Sequence, residues 1–372
     1  MRIGVPREVM NRENRVSATP AVAHELVAHG HEVLVEASAG SGSSITDEEF
    51  AAAGATIIPR AEDIWANADM IIKVKEPLAS EYPLLREGQI LFTYLHAAAS
   101  EKLTTGLVDS KITAFAYETV ELADGGLPLL APMSEIAGRL AVQEGAHALL
   151  KSRGGRGVLM GGVPGTTAAQ VLIIGAGSAG INAAMMATGM HANVVIMDRD
   201  LQRLREADRL FQGRVQTKSS NRFELLELAQ RSDLVIGAVL VHGARAAKLL
   251  SAQDVEGMRT GAVLVDISID QGGCFEPSHP TNHDDPTFEA YGCVFYCVNN
   301  MPGAVPLTAT SALTSATLPY IVELADNGWQ TACERDHALG LGLNFHAGEI
   351  VYPAVADAFK LSHRPLEELL VH

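Results

Sequence analysis

The sequence predicts an α/β protein whose mostly parallel sheets are wound with helices on both faces. Two observations carry that expectation. Short apolar runs alternate with helical patterns along the first half of the chain and again after residue 170. The stretch from Val158 to Met197 contains no Asp, Glu, Lys or Arg, as expected of strands and helices buried on both sides. That length could span a bilayer, but its glycines and Pro164 interrupt it, and a sheet covered on both faces accounts for it better.

The elements follow in order. Ile3–Pro6 reads as a strand, Pro20–His29 as a helix and Glu32–Glu36 as a strand. Phe50–Gly54 ends a helix, Ile57–Pro59 is a short strand and Ile64–Ala68 a helical turn. Strands follow at Met70–Val74, Ile90–Tyr94 and Ile112–Tyr117, then a long helical pattern from Met133 to Arg153. Val171–Ile174 and Val194–Met197 are strands flanking a small-residue helix. Helix Leu201–Phe211 and strands Leu234–Val239, Ala262–Ile267 and Val294–Val298 complete the second half. From Ser311 the tail reads as helical, most clearly over Leu313–Ala325. These helices are too few to stand alone. The expected division is therefore residues 1–128 plus 307–372 as one discontinuous domain and 129–306 as the other, with a cleft between them.

The most specific motif is VLIIGAGSAG, where Gly175, Gly177 and Gly180 form G-x-G-x-x-G between strand and helix. The first glycine makes the tight turn, the second admits a pyrophosphate close to the backbone, and the third lets helix pack on strand. The helix N-terminus offers free N–H groups and a partial positive charge. Asp198, at the end of the next strand, is placed to hold ribose hydroxyls. Strand, glycines, helix, strand and terminal acid in that order predict a nicotinamide or similar dinucleotide in a Rossmann-like unit. The whole chain then reads as two Rossmann-like doubly wound domains.

Composition narrows the function. The net charge of −16 argues against a nucleic-acid partner, which would call for a basic face. The N-terminus, MRIGVPREVMNRENR, has no apolar signal core, so a cytoplasmic protein without a membrane partner is expected. Cys274, Cys293, Cys297 and Cys333 show no C-x-x-C spacing and read as buried free thiols. No histidine set has metal-ligand spacing, so no metal is expected.

Ligands of open parallel sheets bind beyond the carboxyl ends of the strands. Four polar residues interrupt apolar context there: Arg15 in ENRVSATP, Lys75 in IIKVKEP, His96 in ILFTYLH and Asp270 in DISIDQGG. Each taken singly fits a solvated loop; four at four strand ends beside a dinucleotide point to one cleft. Arg and Lys together suit a small carboxylate, a histidine trades protons near neutral pH, and an aspartate orients water or steadies a cation. Against a nicotinamide, that set predicts oxidation of a hydroxy or amino acid.

At this point the chain resembles the NAD-dependent L-alanine dehydrogenases, over segments that cover nearly all of it. These include IGVPREVMNRENRVSATP, KVKEPL, FTYLHAAAS, AYETV, LPLLAPMSEIAGRLAVQEGA, GGRGVLMGGVPG, DLVIGAVLVHGARAAKLL, VDISIDQGG and CVNNMPGAVPLTAT. The resemblance implies reversible oxidative deamination of L-alanine to pyruvate and ammonium with reduction of NAD, in a homo-hexamer. It implies Arg15, Lys75 and Met133 as substrate-binding residues, with His96 and Asp270 as catalytic ones. Ser134, Gly177, Ser178, Ala179, Asp198, Ser220, Val239, Asn300 and Met301 match cofactor-contacting positions, beside Gly175 and Gly180 of the fingerprint. In the implied reaction hydride leaves the alanine α-carbon, water attacks the resulting iminium with His96 as base, and Asp270 steadies the cation.

The departures from the family pattern are Ala18, Ala98, Thr166, Thr167, His191 in place of a glycine, and His242 in place of a proline. Arg199, directly after Asp198, could reach a 2′-phosphate, but Asp198 would repel that phosphate, so NAD is expected rather than NADP. The NAD-binding part of a proton-translocating transhydrogenase shares this architecture and is the nearest alternative; the others are a saccharopine-type dehydrogenase and a non-catalytic NAD-binding module.

Overall fold

The computed structural model describes residues 1–239 and 247–370. His242 lies outside the described residues. The chain divides into two compact units, Met1–Met133 with Val305–His372, and Ser134–Ala304.

The first unit carries β1 (Arg2–Val5), α1 (Pro20–Ala28), β2 (Glu32–Glu36), α2 (Asp47–Ala52), β3 (Thr56–Ile58), α3 (Ala61–Asn67) and β4 (Met70–Ile72). It continues through β5 (Ile90–Thr93), α4 (Glu101–Ser110), β6 (Thr113–Ala116) and the first turn of α5 (Ala131–Ala148). Side-chain caps set the helix starts: Thr19 accepts from the Val22 N–H ahead of Pro20, and Thr46 with Glu49 forms a reciprocal capping box. β4, β5 and β6 are buried at every position, as strands covered on both faces must be.

The second unit takes up the rest of α5, then β7 (Gln170–Ile174), α6 (Ser178–Gly189), β8 (Asn193–Asp198), α7 (Leu201–Phe211), β9 (Val215–Ser219) and α8 (Arg222–Arg231). β10 (Leu234–Gly237), α9 (Ala252–Glu256), β11 (Val263–Asp266), β12 (Thr287–Ala290) and β13 (Cys293–Tyr296) complete it. The chain returns to the first unit through α10 (Pro306–Arg335), broken at Gly328, where φ is 75°, then α11 (His337–Leu341), β14 (Leu343–His346), β15 (Glu349–Ile350), α12 (Pro353–Phe359) and α13 (Leu366–Leu370).

Sheet order is what positions the site. The first sheet runs β15-β14-β6-β5-β4-β1-β2-β3, the second β12-β13-β11-β10-β7-β8-β9. β1 through β6 are parallel to one another, and so are β7 through β11 and β13. In each sheet the chain builds outward one way and then returns to build the other way, so the strand order reverses between β1 and β4 and between β7 and β10. The loops leaving such a pair diverge to opposite faces and open a crevice.

The structure corrects the expectation for the tail. β14 pairs antiparallel with β6 and forms a hairpin with β15, where an all-helical tail was expected. Its two turn residues, Ala347 (φ 50°) and Gly348 (φ 86°), both have the positive φ that a tight hairpin requires. Two further strands escape the apolar pattern. β9 is partly exposed and reads VQTKS, and β12 is an edge strand antiparallel to β13. β4 also ends at Ile72, before the expected Val74, and Val74 gives its N–H to Glu8 Oε1 at 2.6 Å.

Candidate active site

In the first unit the loops after β1 and β4 leave the point where the strand order reverses. Arg15 lies on the first of these loops and is 2% exposed. Its guanidinium is gripped from both sides by Glu13, Nε to Oε1 at 2.7 Å and Nη2 to Oε2 at 2.5 Å, while Nη1 meets Met133 Sδ at 3.1 Å. Burial works against the positive charge, but the Glu13 carboxylate outweighs it and holds the Arg15 pKa above its ordinary value. Lys75 is half-buried three residues beyond β4; Glu8 Oε1 accepts its N–H at 3.4 Å, and Thr93 Oγ1 donates to its carbonyl at 2.9 Å.

His96 lies three residues beyond β5, exposed, in the left-handed region at φ 47° and ψ 33°. A non-glycine residue there stores strain of about 1–3 kcal/mol, which the surroundings must hold in place. Glu118 does so: its Oε1 accepts the His96 N–H at 2.6 Å and both its oxygens accept from Leu95 N at 3.2 Å. The same Oε1 lies 3.8 Å from His96 Nδ1. Tyr94 stacks parallel to the His96 ring at 6.0 Å and anchors its hydroxyl on the Leu129 carbonyl at 2.5 Å. Burial raises the Tyr94 pKa, so the phenol stays neutral. In this unit, then, Arg15 meets Met133 through a side-chain contact and Tyr94 meets His96 through a ring stack.

In the second unit the glycine turn follows β7, beside β10. Gly175 has φ 110°, and a Cβ there would overlap the Ala238 carbonyl. A Cβ on Gly180 would overlap the Gly175 carbonyl, so both glycines are required by the fold itself. Gly177 is different. Among the described residues, a Cβ there would meet only Arg203 Nη1, at 3.6 Å, so these leave the space above it open. Ser178 and Ala179 begin α6, whose first N–H groups face that space, and Ser134 is half-buried in the first turns of α5.

The Asp198 carboxylate closes the turn, Oδ2 accepting from Ala176 N at 2.7 Å and Oδ1 from Asp200 N at 2.9 Å. An ionised carboxylate has about four acceptor sites, so two remain for hydroxyl groups. A cavity of about 440 Å³ opens beside Ser220, lined also by Arg199, Asn221, Arg222, Lys248 and Glu276. Open backbone at Gly177, a helix start, a rigid carboxylate and an adjoining cavity fit a dinucleotide. Val239 is half-buried and its carbonyl accepts from Ser268 Oγ at 2.7 Å. Asn300 (φ 60°) precedes the buried Met301, in the turn after β13.

Asp270 is exposed in a short turn, Ile267–Gln271, directly after β11. Asp266, fully buried at the end of that strand, holds the turn: Oδ1 accepts from Ser268 N (3.1 Å), and Oδ2 from Cys274 N (2.9 Å), Phe275 N (3.3 Å) and Ser278 Oγ (2.6 Å). Among the departures, His191 is exposed at φ 62° just past α6, where the backbone favours glycine. Ala18 is buried, and Ala98, Thr166 and Thr167 are exposed. Among the described residues no helix is long and apolar enough to cross a membrane.

Two family profiles match successive stretches of the chain. "Alanine dehydrogenase/PNT, N-terminal domain" matches residues 4–137 and "Alanine dehydrogenase/PNT, C-terminal domain" residues 141–353. The chain belongs to the alanine dehydrogenase/PNT family. It is 57% identical to an alanine dehydrogenase of Mycobacterium tuberculosis over 96% of each chain. A solved L-alanine dehydrogenase superposes with a TM-score of 0.94 at 51% identity, covering 97% of this chain and 99% of that one. A transhydrogenase of Sinorhizobium meliloti shares the fold, with a TM-score of 0.79 at 23% identity over 95% of this chain and 100% of that one.

The contacts in the structure bring forward residues that sequence reasoning left unassigned. Glu13 stands two residues before Arg15, a spacing that signals a local partner. Glu118 lies within AYETV, and no pattern in the sequence links it to His96, 22 residues earlier. Asp266 reads as an ordinary strand-end acid until its five donors are seen.

Proposed function

We propose that this chain catalyses the NAD-dependent reversible oxidative deamination of L-alanine to pyruvate and ammonium. The full-length match to alanine dehydrogenases carries the reading, and the Arg15 and His96 environments support it. In this account residues 1–128 with 307–372 form the substrate and catalytic domain, and 129–306 the NAD-binding domain. The protein acts as a cytoplasmic homo-hexamer.

NAD, when bound, supplies the acceptor for the hydride that leaves the alanine α-carbon. Gly175, Gly177, Ser178, Ala179 and Gly180 hold its pyrophosphate and Asp198 its adenosine ribose. Ser134, Ser220, Val239, Asn300 and Met301 contact the rest. Arg15, already oriented by Glu13, binds the substrate carboxylate, and Lys75 contacts the carboxylate and the carbonyl oxygen of pyruvate. Met133 lines the pocket for the methyl group. His96 takes a proton from the water that adds to the substrate iminium and returns it when the carbinolamine releases ammonia. Asp270 steadies the iminium charge and orders that water. Overall, alanine, NAD and water become pyruvate, ammonium, NADH and one proton.

A screen of the common amino acids with NAD and with NADP, reading absorbance of the reduced cofactor, tests the proposal. Turnover of L-alanine with NAD above all other pairs is expected. No turnover of L-alanine, or a preference for NADP, would overturn it.

A further inference from the structure

Directly beyond β4 the Lys73 ammonium is fully buried, between Glu8 Oε2 at 3.2 Å and Glu81 Oε1 at 3.0 Å. The three groups meet as ion pairs at angles short of aligned hydrogen bonds. Burial alone would drive Lys73 toward neutrality; the two carboxylates prevail and hold it charged. A buried ion-pair triad is weak evidence for stability, since well-packed apolar residues often serve as well.

The other oxygens of the two carboxylates show what this one is for. Glu8 Oε1 accepts from Val74 N at 2.6 Å and from Lys75 N at 3.4 Å. Glu81 Oε2 accepts from Leu78 N at 2.9 Å, and the Glu81 N–H returns to the Leu78 carbonyl at 2.8 Å. Each carboxylate therefore spans from the Lys73 ammonium to a backbone amide of the segment that presents Lys75. Both ends of that five-residue turn are tied to one buried cation.

We propose that Glu8 is a positioning residue for Lys75, with Lys73 and Glu81 completing a brace that fixes where the Lys75 ammonium meets a substrate carboxylate or carbonyl. This rests on the proposed role of Lys75 in binding substrate. Glutamine at position 8 keeps one acceptor oxygen and replaces the other with an NH2, a donor that cannot accept from whichever of the Val74 amide and the Lys73 ammonium it faces.

The test is a double-mutant cycle of Glu8→Gln with Lys75→Ala in the full-length protein. The readout is the Kd of pyruvate titrated into the enzyme–NADH complex without ammonium, followed by nucleotide fluorescence. Glu8→Gln is expected to weaken pyruvate about tenfold with Lys75 present and to change nothing further in the Lys75→Ala background. NADH affinity, which rests on the other unit, should stay within about twofold. An equal loss in both backgrounds, or no loss in either, overturns the brace. A Lys75→Ala protein that binds pyruvate like wild type overturns the underlying reading of Lys75, and the brace with it. If Glu8→Gln does not fold, Glu81→Gln carries the same cycle under the same criteria.

Discussion

Asp266 offers a perturbation whose size can be worked from the structure. Its carboxylate is 0% exposed and takes five donors, three backbone N–H groups, the Ser278 hydroxyl and the Cys274 thiol, at 2.6–3.5 Å. Burial raises its pKa and the hydrogen bonds pull it back, so desolvation offsets part of what the network contributes. A hydrogen bond to a charged group is worth about 1.5–3 kcal/mol and an orphaned buried donor costs about 1–3 kcal/mol, with neighbouring terms not additive. Asp266→Asn keeps one acceptor and turns an NH2 toward donors, so about 2 kcal/mol should be lost. For a unit of this size that is a fall in Tm of about 4–8 °C. Asp266→Ala orphans all five donors and should cost about 4 kcal/mol. Calorimetry at neutral pH reads the stability, and steady-state assay reads the consequence for Asp270, which rides on the held turn: kcat should fall further than NADH affinity. An Asn variant melting within about 1 °C of wild type, with unchanged kcat, would refute the reasoning.

Other outcomes follow from the same geometry. Gly177→Ala should fold with an unchanged Tm yet weaken NADH at least tenfold, because the added methyl occupies the open space above the turn; Gly180→Ala should instead destabilise the protein, read by Tm. His29 pairs with Asp326 at 2.9 Å, which raises the histidine pKa and lowers that of the carboxylate. The histidine's contribution is present below its ordinary pKa and fades as pH rises through the raised one; the carboxylate's is present above its ordinary range and fades as pH falls through the lowered one. Asp326→Asn should therefore lower Tm at pH 6 and converge on wild type by about pH 9. Burial pushes the Cys293 thiol up to about 11 and those of Cys297 and Cys333 up to about 12. A thiol-titrating disulfide reagent should find almost none of the four cysteines in native protein and all four after denaturation.

Much of the fold was legible because parallel strands buried on both faces leave continuous apolar runs, as in IGV, MII, VLII and VLVD. The glycine turn was legible because its backbone geometry admits so few residues. What stayed hidden lies where local pattern is weak. β9 alternates without a strong apolar face, and the β14–β15 hairpin has few residues and sits among glycines. Among the candidate site residues, Arg15, Lys75, His96 and Asp270 could be picked out as polar residues at strand ends. Their partners could not: Glu118, Glu8 and Asp266 act through contacts that only the folded chain assembles. Lys73 shows the limit most sharply, since IIKVKEP offers two lysines two residues apart. The Lys73 ammonium is buried between Glu8 and Glu81 while Lys75 is half-buried, a difference that the folded chain alone reveals.

In the proposed reaction hydride leaves the α-carbon of alanine for NAD on this protein. Incubation with L-[2-²H]alanine and NAD, followed by NMR of the reduced cofactor and of the keto acid, tests it most directly. Deuterium is expected at C4 of the NADH recovered, with pyruvate in equal amount, and both should be lost with His96→Ala. NADH carrying no deuterium, or no pyruvate formed, would contradict it.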